Sequence, residues 1–252
     1  MEFEFISSIA ATNTSDINEC LSFSKASFCS YDYLYAIEKS NVATVNEGWE
    51  VNHLCLKKNK KLEGFIPIYK KNNSNGEFVF DHQWAHAHHQ ANRSYYPKLL
   101  SASPYTPCEG QKFFTKEDQS QSELMINAIK NYMKEKNFGS WHILFPDSES
   151  KEILKKFDLI ERSGYRFVWK NRNYKDFDSF MRILKSRQRK NIKKEREGIT
   201  DYGIKFILKD NKNLTIDDWS IFYEFYCKTY LERYQKPYFN IDFFRNIHRK
   251  RL

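Results

Sequence analysis

Four histidines fall within eight residues, His82, His86, His88 and His89, and Asp81 precedes the first of them. On a helix His82 and His86 would stand one turn apart on one face, as a two-histidine metal site requires. No His-Glu-x-x-His arrangement is present and no third ligand follows at a diagnostic interval, so no metal is expected. The pair Asp81–His82 offers different chemistry. A carboxylate or an imidazole at a strand mouth can take the proton of an attacking amine. Neighbours on a strand point to opposite faces, so the two need not act together.

A second concentration of chemistry is cationic. From Arg182 to Arg196 eight Lys and Arg residues stand against Glu195 alone, a net charge of +7. The plain reading of such a run is a solvated helix. Its four arginines point further, because a guanidinium grips phosphate or carboxylate in a fixed two-pronged geometry. The formal charge of +9 is also unevenly spread: residues 1–126 carry a net of −3 and residues 127–252 a net of +12. That asymmetry implies an anionic partner for the second half.

These groups need elements to position them. Glu4–Ile9 alternates as a strand, and helices are predicted over Asp16–Phe23 and Tyr31–Lys39. Val51–Lys57 and Lys61–Tyr69 read as paired strands around the turn Lys58-Asn59-Lys60, and Glu77–Phe80 as another strand. Residues 81–93 hold no Gly or Pro and suit a helix. Met125, Ala128, Ile129, Tyr132 and Met133 mark an amphipathic helix, and Trp141–Phe145 a strand with Asp147 as the next N-cap. Tyr165–Trp169 and Ile204–Leu208 alternate as strands on either side of one long helix, Asp176–Glu197. Thr215 and Asp218 suit a capping box, and the aromatic stripe Trp219, Phe222, Tyr223, Tyr226 and Tyr230 that follows reads as core. Strands alternating with helices indicate α/β or α+β.

Composition excludes much else. The 252 residues include 21 Phe, 16 Tyr and 5 Trp against 8 Gly, ample to bury a core and too apolar for a disordered tail. No Gly-x-Gly-x-x-Gly, Walker A or Gly-x-Ser-x-Gly sequence occurs, and no apolar run is long enough to span a bilayer. Five scattered Cys without a Cys-x-x-Cys pair, and an acidic start without a signal peptide, predict reduced thiols in a cytoplasm. Cys108 is read as a bystander thiol.

Several blocks, in order along nearly the whole chain, resemble one family. They are Gly48-Trp49-Glu50-Val51-Asn52-His53-Leu54, Leu62-Glu63-Gly64-Phe65-Ile66-Pro67-Ile68-Tyr69 and Gly76-Glu77-Phe78-Val79-Phe80-Asp81-His82-Gln83-Trp84-Ala85. Then come Tyr95-Tyr96-Pro97-Lys98-Leu99, Pro104-Tyr105-Thr106-Pro107, Trp141-His142-Ile143-Leu144-Phe145-Pro146, Phe167-Val168-Trp169-Lys170-Asn171 and the basic block Ser186 to Arg196. Together they are similar to the FemAB-like N-acyltransferases, relatives of the peptidoglycan-bridge aminoacyltransferases. The resemblance implies tandem domains of the GNAT acyltransferase fold, of α/β (α+β) class. Residues 1–170 would form the first, and 171–252 an incomplete second one, carrying the basic and aromatic helices, in a truncated member.

The implied reaction transfers an acyl or aminoacyl group to an amine of an anionic acceptor such as a peptidoglycan precursor. The donor is acyl-CoA or aminoacyl-tRNA, and these residues lack a Gln/Arg-x-x-Gly-x-Gly loop for the CoA pyrophosphate. By the same resemblance Asp81 and His82 are the proton-transfer candidates, with Tyr105 beside them and Trp84 and Thr106 lining the cleft. Arg187, Arg189, Lys190 and Lys194 would contact substrate phosphate. Lys112 stands where the family has an arginine and keeps its charge without the two-pronged grip. His142 reads as a satisfied core histidine. The competing reading is a non-enzymatic protein that holds nucleic acid or another polyanion on its basic half.

Overall fold

The structure is a computed structural model and describes residues 1–12, 14–21, 27–79, 81–116, 119–210 and 212–250. The elements run β1 (Glu2–Ile6), α1 (Thr14–Leu21), α2 (Tyr31–Lys39), β2 (Trp49–Val51), β3 (His53–Lys58), β4 (Lys61–Ile66) and β5 (Tyr69–Lys71). They continue with α3 (His82–Gln90), β6 (Lys98–Ser101), β7 (Phe114–Thr115), α4 (Gln119–Glu135), β8 (Trp141–Ile143) and α5 (Ser148–Leu154). The last are α6 (Phe177–Arg182), α7 (Ser186–Asp201), α8 (Ile216–Leu231) and α9 (Ile241–Lys250). The chain divides into two compact units, residues 1–159 with 214–252, and residues 160–213.

The first unit holds two four-stranded sheets, ordered β1-β3-β4-β7 and β2-β5-β6-β8. Every pairing is antiparallel except β6 with β8. The β3–β4 hairpin turns at Asn59 and Lys60, both at positive φ, as a tight two-residue turn demands. Strand periodicity then divides the core. Leu54, Leu56, Ile66 and Leu99 face Met125, Ile126 and Ile129 of α4, whereas Cys55, Phe65 and Leu100 face the opposite cluster containing Leu34 and Ile37 of α2. Helices thus cover both faces.

The sequence boundary at residue 170 does not coincide with this division, because α8 and α9 belong to the first unit. Asn240 Nδ2 donates to the Ser40 carbonyl at 2.7 Å, Asn246 Nδ2 to Ser40 Oγ at 3.1 Å, and Tyr238 stacks on Tyr105 at 4.7 Å. The predicted capping box is present, with Thr215 accepting from Asp218 N and Asp218 reaching back. The aromatic stripe of α8 packs on Phe244 of α9.

In the second unit the single helix predicted over 176–197 is two. α6 ends after Arg182, and Gln188 Oε1 accepts from Lys185 N at 3.1 Å, closing the start of α7. Trp169 and Tyr174 cluster with Phe180 of α6, Phe180 also meets Phe177 of the same helix, and Arg196 lies over the Phe177 ring. The predicted strands 165–169 and 204–208 do not form: no sheet of the described residues in this unit offers them an edge, and isolated strands do not persist in water. Tyr165, Phe167, Phe206 and Leu208 are accordingly exposed. The strand predicted over 77–80 is also absent at 77–79, where Phe78 adopts φ 57° and breaks the extended path; Phe80 lies outside the described residues.

Candidate functional site

One face of the β2-β5-β6-β8 sheet gathers most of the sequence blocks. Trp49 of β2 pairs with Lys71 of β5, Lys71 pairs with Lys98 of β6, and Leu100 pairs with His142 of β8. Residues opposite or two apart share a face, so Trp49, Tyr69, Lys71, Lys98 and His142 all project together. Ser74, Glu77 and Asp81, from the connection after β5, join this face, and the Tyr95 and Tyr96 hydroxyls reach Asp81 and Ser74.

The result is a buried ionic nest. Lys98 Nζ lies 2.6 Å from Asp81 Oδ2, 2.8 Å from Glu77 Oε2 and 2.9 Å from Ser74 Oγ. Asp81 Oδ2 also accepts from Tyr95 OH at 2.7 Å and Ser74 Oγ at 2.9 Å. Lys71 Nζ donates to the Asn75 carbonyl at 3.1 Å and sits 3.6 Å above the Trp49 ring. Both lysines and both carboxylates are buried. Burial raises the Asp81 pKa, but the hydrogen bonds from Lys98, Tyr95 and Ser74 overcome it and hold the carboxyl at about 2. Burial brings Lys71 down to about 7 against the attraction of Glu77, and raises Glu77 against that of Lys98.

This geometry ties Asp81 to Lys98, Tyr95 and Ser74. An ionised carboxylate with three donors on one oxygen is a weak proton acceptor and a strong structural anchor. His82 does not share its site: it begins the exposed face of α3, which starts directly after Asp81 as Trp84 N and Ala85 N bond the Asp81 carbonyl. Tyr105 is buried in the core. Its hydroxyl donates to the Val42 carbonyl at 2.8 Å, burial raises its pKa, and its ring stacks on Tyr238.

The remaining candidates scatter. Thr106 Oγ1 donates to the Pro104 carbonyl and stands 2.8 Å from Tyr33 OH. Lys112 is buried with Nζ on the Gly110 carbonyl, and burial lowers its pKa. Trp84 is half exposed on α3. Arg187, Lys190 and Lys194 are exposed on α7, whereas Arg189 turns back to donate to the carbonyls of Arg182, the last residue of α6, and of Leu184 just after it. The helix predicted for the histidine run does form, and the His88 ring meets Tyr95 edge-on at 5.2 Å. Among the described residues no group of three or more His, Cys, Asp and Glu is placed to hold a metal ion, and no helix is long and apolar enough to cross a membrane.

Lys71, Lys98, Glu77 and Tyr95 were absent from the sequence-based site. Their signal was present: a lysine opening the apolar run Leu99–Leu100, and another two residues after Tyr69 on the same strand face, are charges where a buried strand should carry none.

A mixed α/β architecture with helices on both faces of its sheets, and motif residues gathered on one of those faces, defines the class. The chain belongs to the FemAB-like family, described as peptidoglycan biosynthesis/recognition, whose model matches residues 6–251. Membership makes it an enzyme of the N-acyltransferase class with a fold related to GNAT acetyltransferases. Of solved structures, the ribosomal-protein-alanine N-acetyltransferase from Brucella melitensis biovar Abortus 2308 aligns over 67% of this chain and 100% of its own, at 8% identity and a TM-score of 0.40. No curated protein matches the sequence.

Proposed function

We propose that the protein transfers an acyl or aminoacyl group to the amine of an anionic acceptor of the peptidoglycan-precursor kind. The observation that carries this reading is the convergence of separate family blocks on one sheet face, within a chain matched almost end to end by the family. Acyl transfer to an amine needs a group to take the amine proton and cations to hold the acceptor's acidic parts. With Asp81 committed to Lys98, His82 on the exposed face of α3 is the proton acceptor in this reading. Trp84 lies on the same helix and is half exposed.

On α7 the exposed Arg187, Lys190 and Lys194 contact substrate phosphate; Arg189, already bonded to backbone carbonyls, contributes charge more than grip. The donor is acyl-CoA or aminoacyl-tRNA. The test is turnover of amine acceptors with each donor in turn. Saturable transfer with either one supports the reading and identifies the donor. Binding of nucleic acid that weakens steeply with salt, with no transfer to any amine, would replace it with the polyanion-binding reading.

A further inference from the structure

The two lysines and their counter-ions come from unlike parts of the fold. Lys71 and Lys98 are fixed by paired strands, in register and fully buried. Glu77 and Asp81 both come from the connection between β5 and α3, four residues apart. Between them Phe78 is held at φ 57°, a conformation that strains a bulky side chain, and its ring is 45% exposed. Glu77 Oε1 and Asp81 Oδ1 are buried without a hydrogen-bond partner in the structure. A nest built for stability alone gains little from this arrangement, since apolar residues of the same volume serve as well or better. Opposed cations on rigid strands, neutralised by a strained loop whose carboxylates are half satisfied, have the form of an anion site filled by its own chain.

We propose that Lys71 and Lys98 form a binding site for a dianionic group, a phosphate or a dicarboxylate, and that Glu77 and Asp81 occupy it as a built-in substitute. Binding exchanges two carboxylates for one dianion, so the charge around the lysines stays balanced while the 72–81 segment is released. Tyr95 and Tyr96, whose hydroxyls now serve Asp81 and Ser74, then become free to donate to the incoming oxygens. That the dianion is part of the acyl acceptor rests on the reading above; the binding itself does not.

The test is hydrogen–deuterium exchange of the full chain with inorganic phosphate, with succinate, and with sodium chloride at matched ionic strength. The expected result is exchange at least about tenfold faster in residues 72–81 with one of the two dianions and no change with chloride. The response of phosphate against succinate identifies the chemical source. Lys71→Met, checked for native circular dichroism, should abolish the response. Unchanged exchange with both dianions, or equal acceleration by chloride, overturns the site. Because no turnover is read, an inactive chain can still pass this test and an active one can still fail it.

Discussion

Lys71 and Lys98 are direct cross-strand partners on β5 and β6, and neither reaches solvent. Like charges placed opposite one another on a sheet repel, and burial removes the water that would screen them. The pair therefore depends on Glu77 and Asp81. This dependence ties the fold of the β5–α3 connection to the sheet it covers.

Lys98→Met should consequently cost far more than its lost packing. It leaves the Asp81 and Glu77 carboxylates buried without their shared cation, a loss of about 3–5 kcal/mol for a broken buried pair. Adding Asp81→Asn removes one orphaned charge and leaves Glu77 as the counter-ion of the buried Lys71, so it should recover much of that loss. Urea unfolding of the single and double variants checks this. A single variant within about 1 kcal/mol of the parent would show that the nest contributes nothing to folding.

Acid stability should carry a second signature, from His53. This histidine is fully buried, with Nδ1 against the Ile68 backbone and Nε2 3.7 Å from Glu38. Burial, opposed by the Ile68 contact, lowers its pKa from 6.5 to about 4. Between those values the unfolded chain binds the extra proton, so stability falls as pH drops from 6.5 towards 4. The full effect is about 3 kcal/mol. Glu38, whose pKa burial raises, acts with the opposite sign, so the decisive quantity is the difference between parent and His53→Gln. Chemical denaturation from pH 7 to pH 4 should show a shallower slope for the variant. Identical slopes would mean that His53 is not buried neutral.

The cysteines offer a test of the core that needs no variant. Cys20, Cys29 and Cys55 are buried, and desolvation pushes their thiols up to about 12, 11 and 12. Cys108 is exposed and Cys227 half-buried. Since the thiolate is the reactive form, a thiol reagent at neutral pH should modify Cys108 first and the three buried residues only on unfolding. Peptide mapping during the reaction distinguishes them. Early labelling of Cys55, which lies in β3, one of the two inner strands of its sheet, would contradict the sheet order.

Local signals in the sequence were legible because each is settled within a few residues. The Asn59-Lys60 turn, the Asp147 cap on Ser150 N and the Thr215–Asp218 box are all where the residues place them. The α4 helix and the aromatic stripe of α8 follow in the same way from spacing. Lys71 and Lys98 were each legible as charges in apolar strands, but their meeting was not, because it arises only through strand register, and register is set by the whole sheet. Tyr165–Trp169 and Ile204–Leu208 show the reverse error. Their alternation is real, but alternation specifies a strand only where another strand supplies hydrogen bonds.

The division of labour between Asp81, His82 and Tyr105 can be read from kinetics once a donor is found. If His82 takes the amine proton, His82→Ala should lower kcat by about 10²–10⁴-fold with little change in KM and no loss of stability, because the residue is exposed. Asp81→Asn should do the opposite, lowering the melting temperature through the lost charge-assisted bond to Lys98. Its acid limb of stability should also disappear: with a folded pKa of about 2 against an ordinary 3.8, the Asp81 contribution is present above pH 3.8 and is lost as pH falls through 2. Tyr105→Phe strips the buried Val42 carbonyl of its donor, a loss of about 1–3 kcal/mol, and should leave kcat unchanged below the new melting point. A collapse of kcat in Tyr105→Phe with normal stability would return that hydroxyl to the reacting centre, and a fully active His82→Ala would remove the imidazole from it.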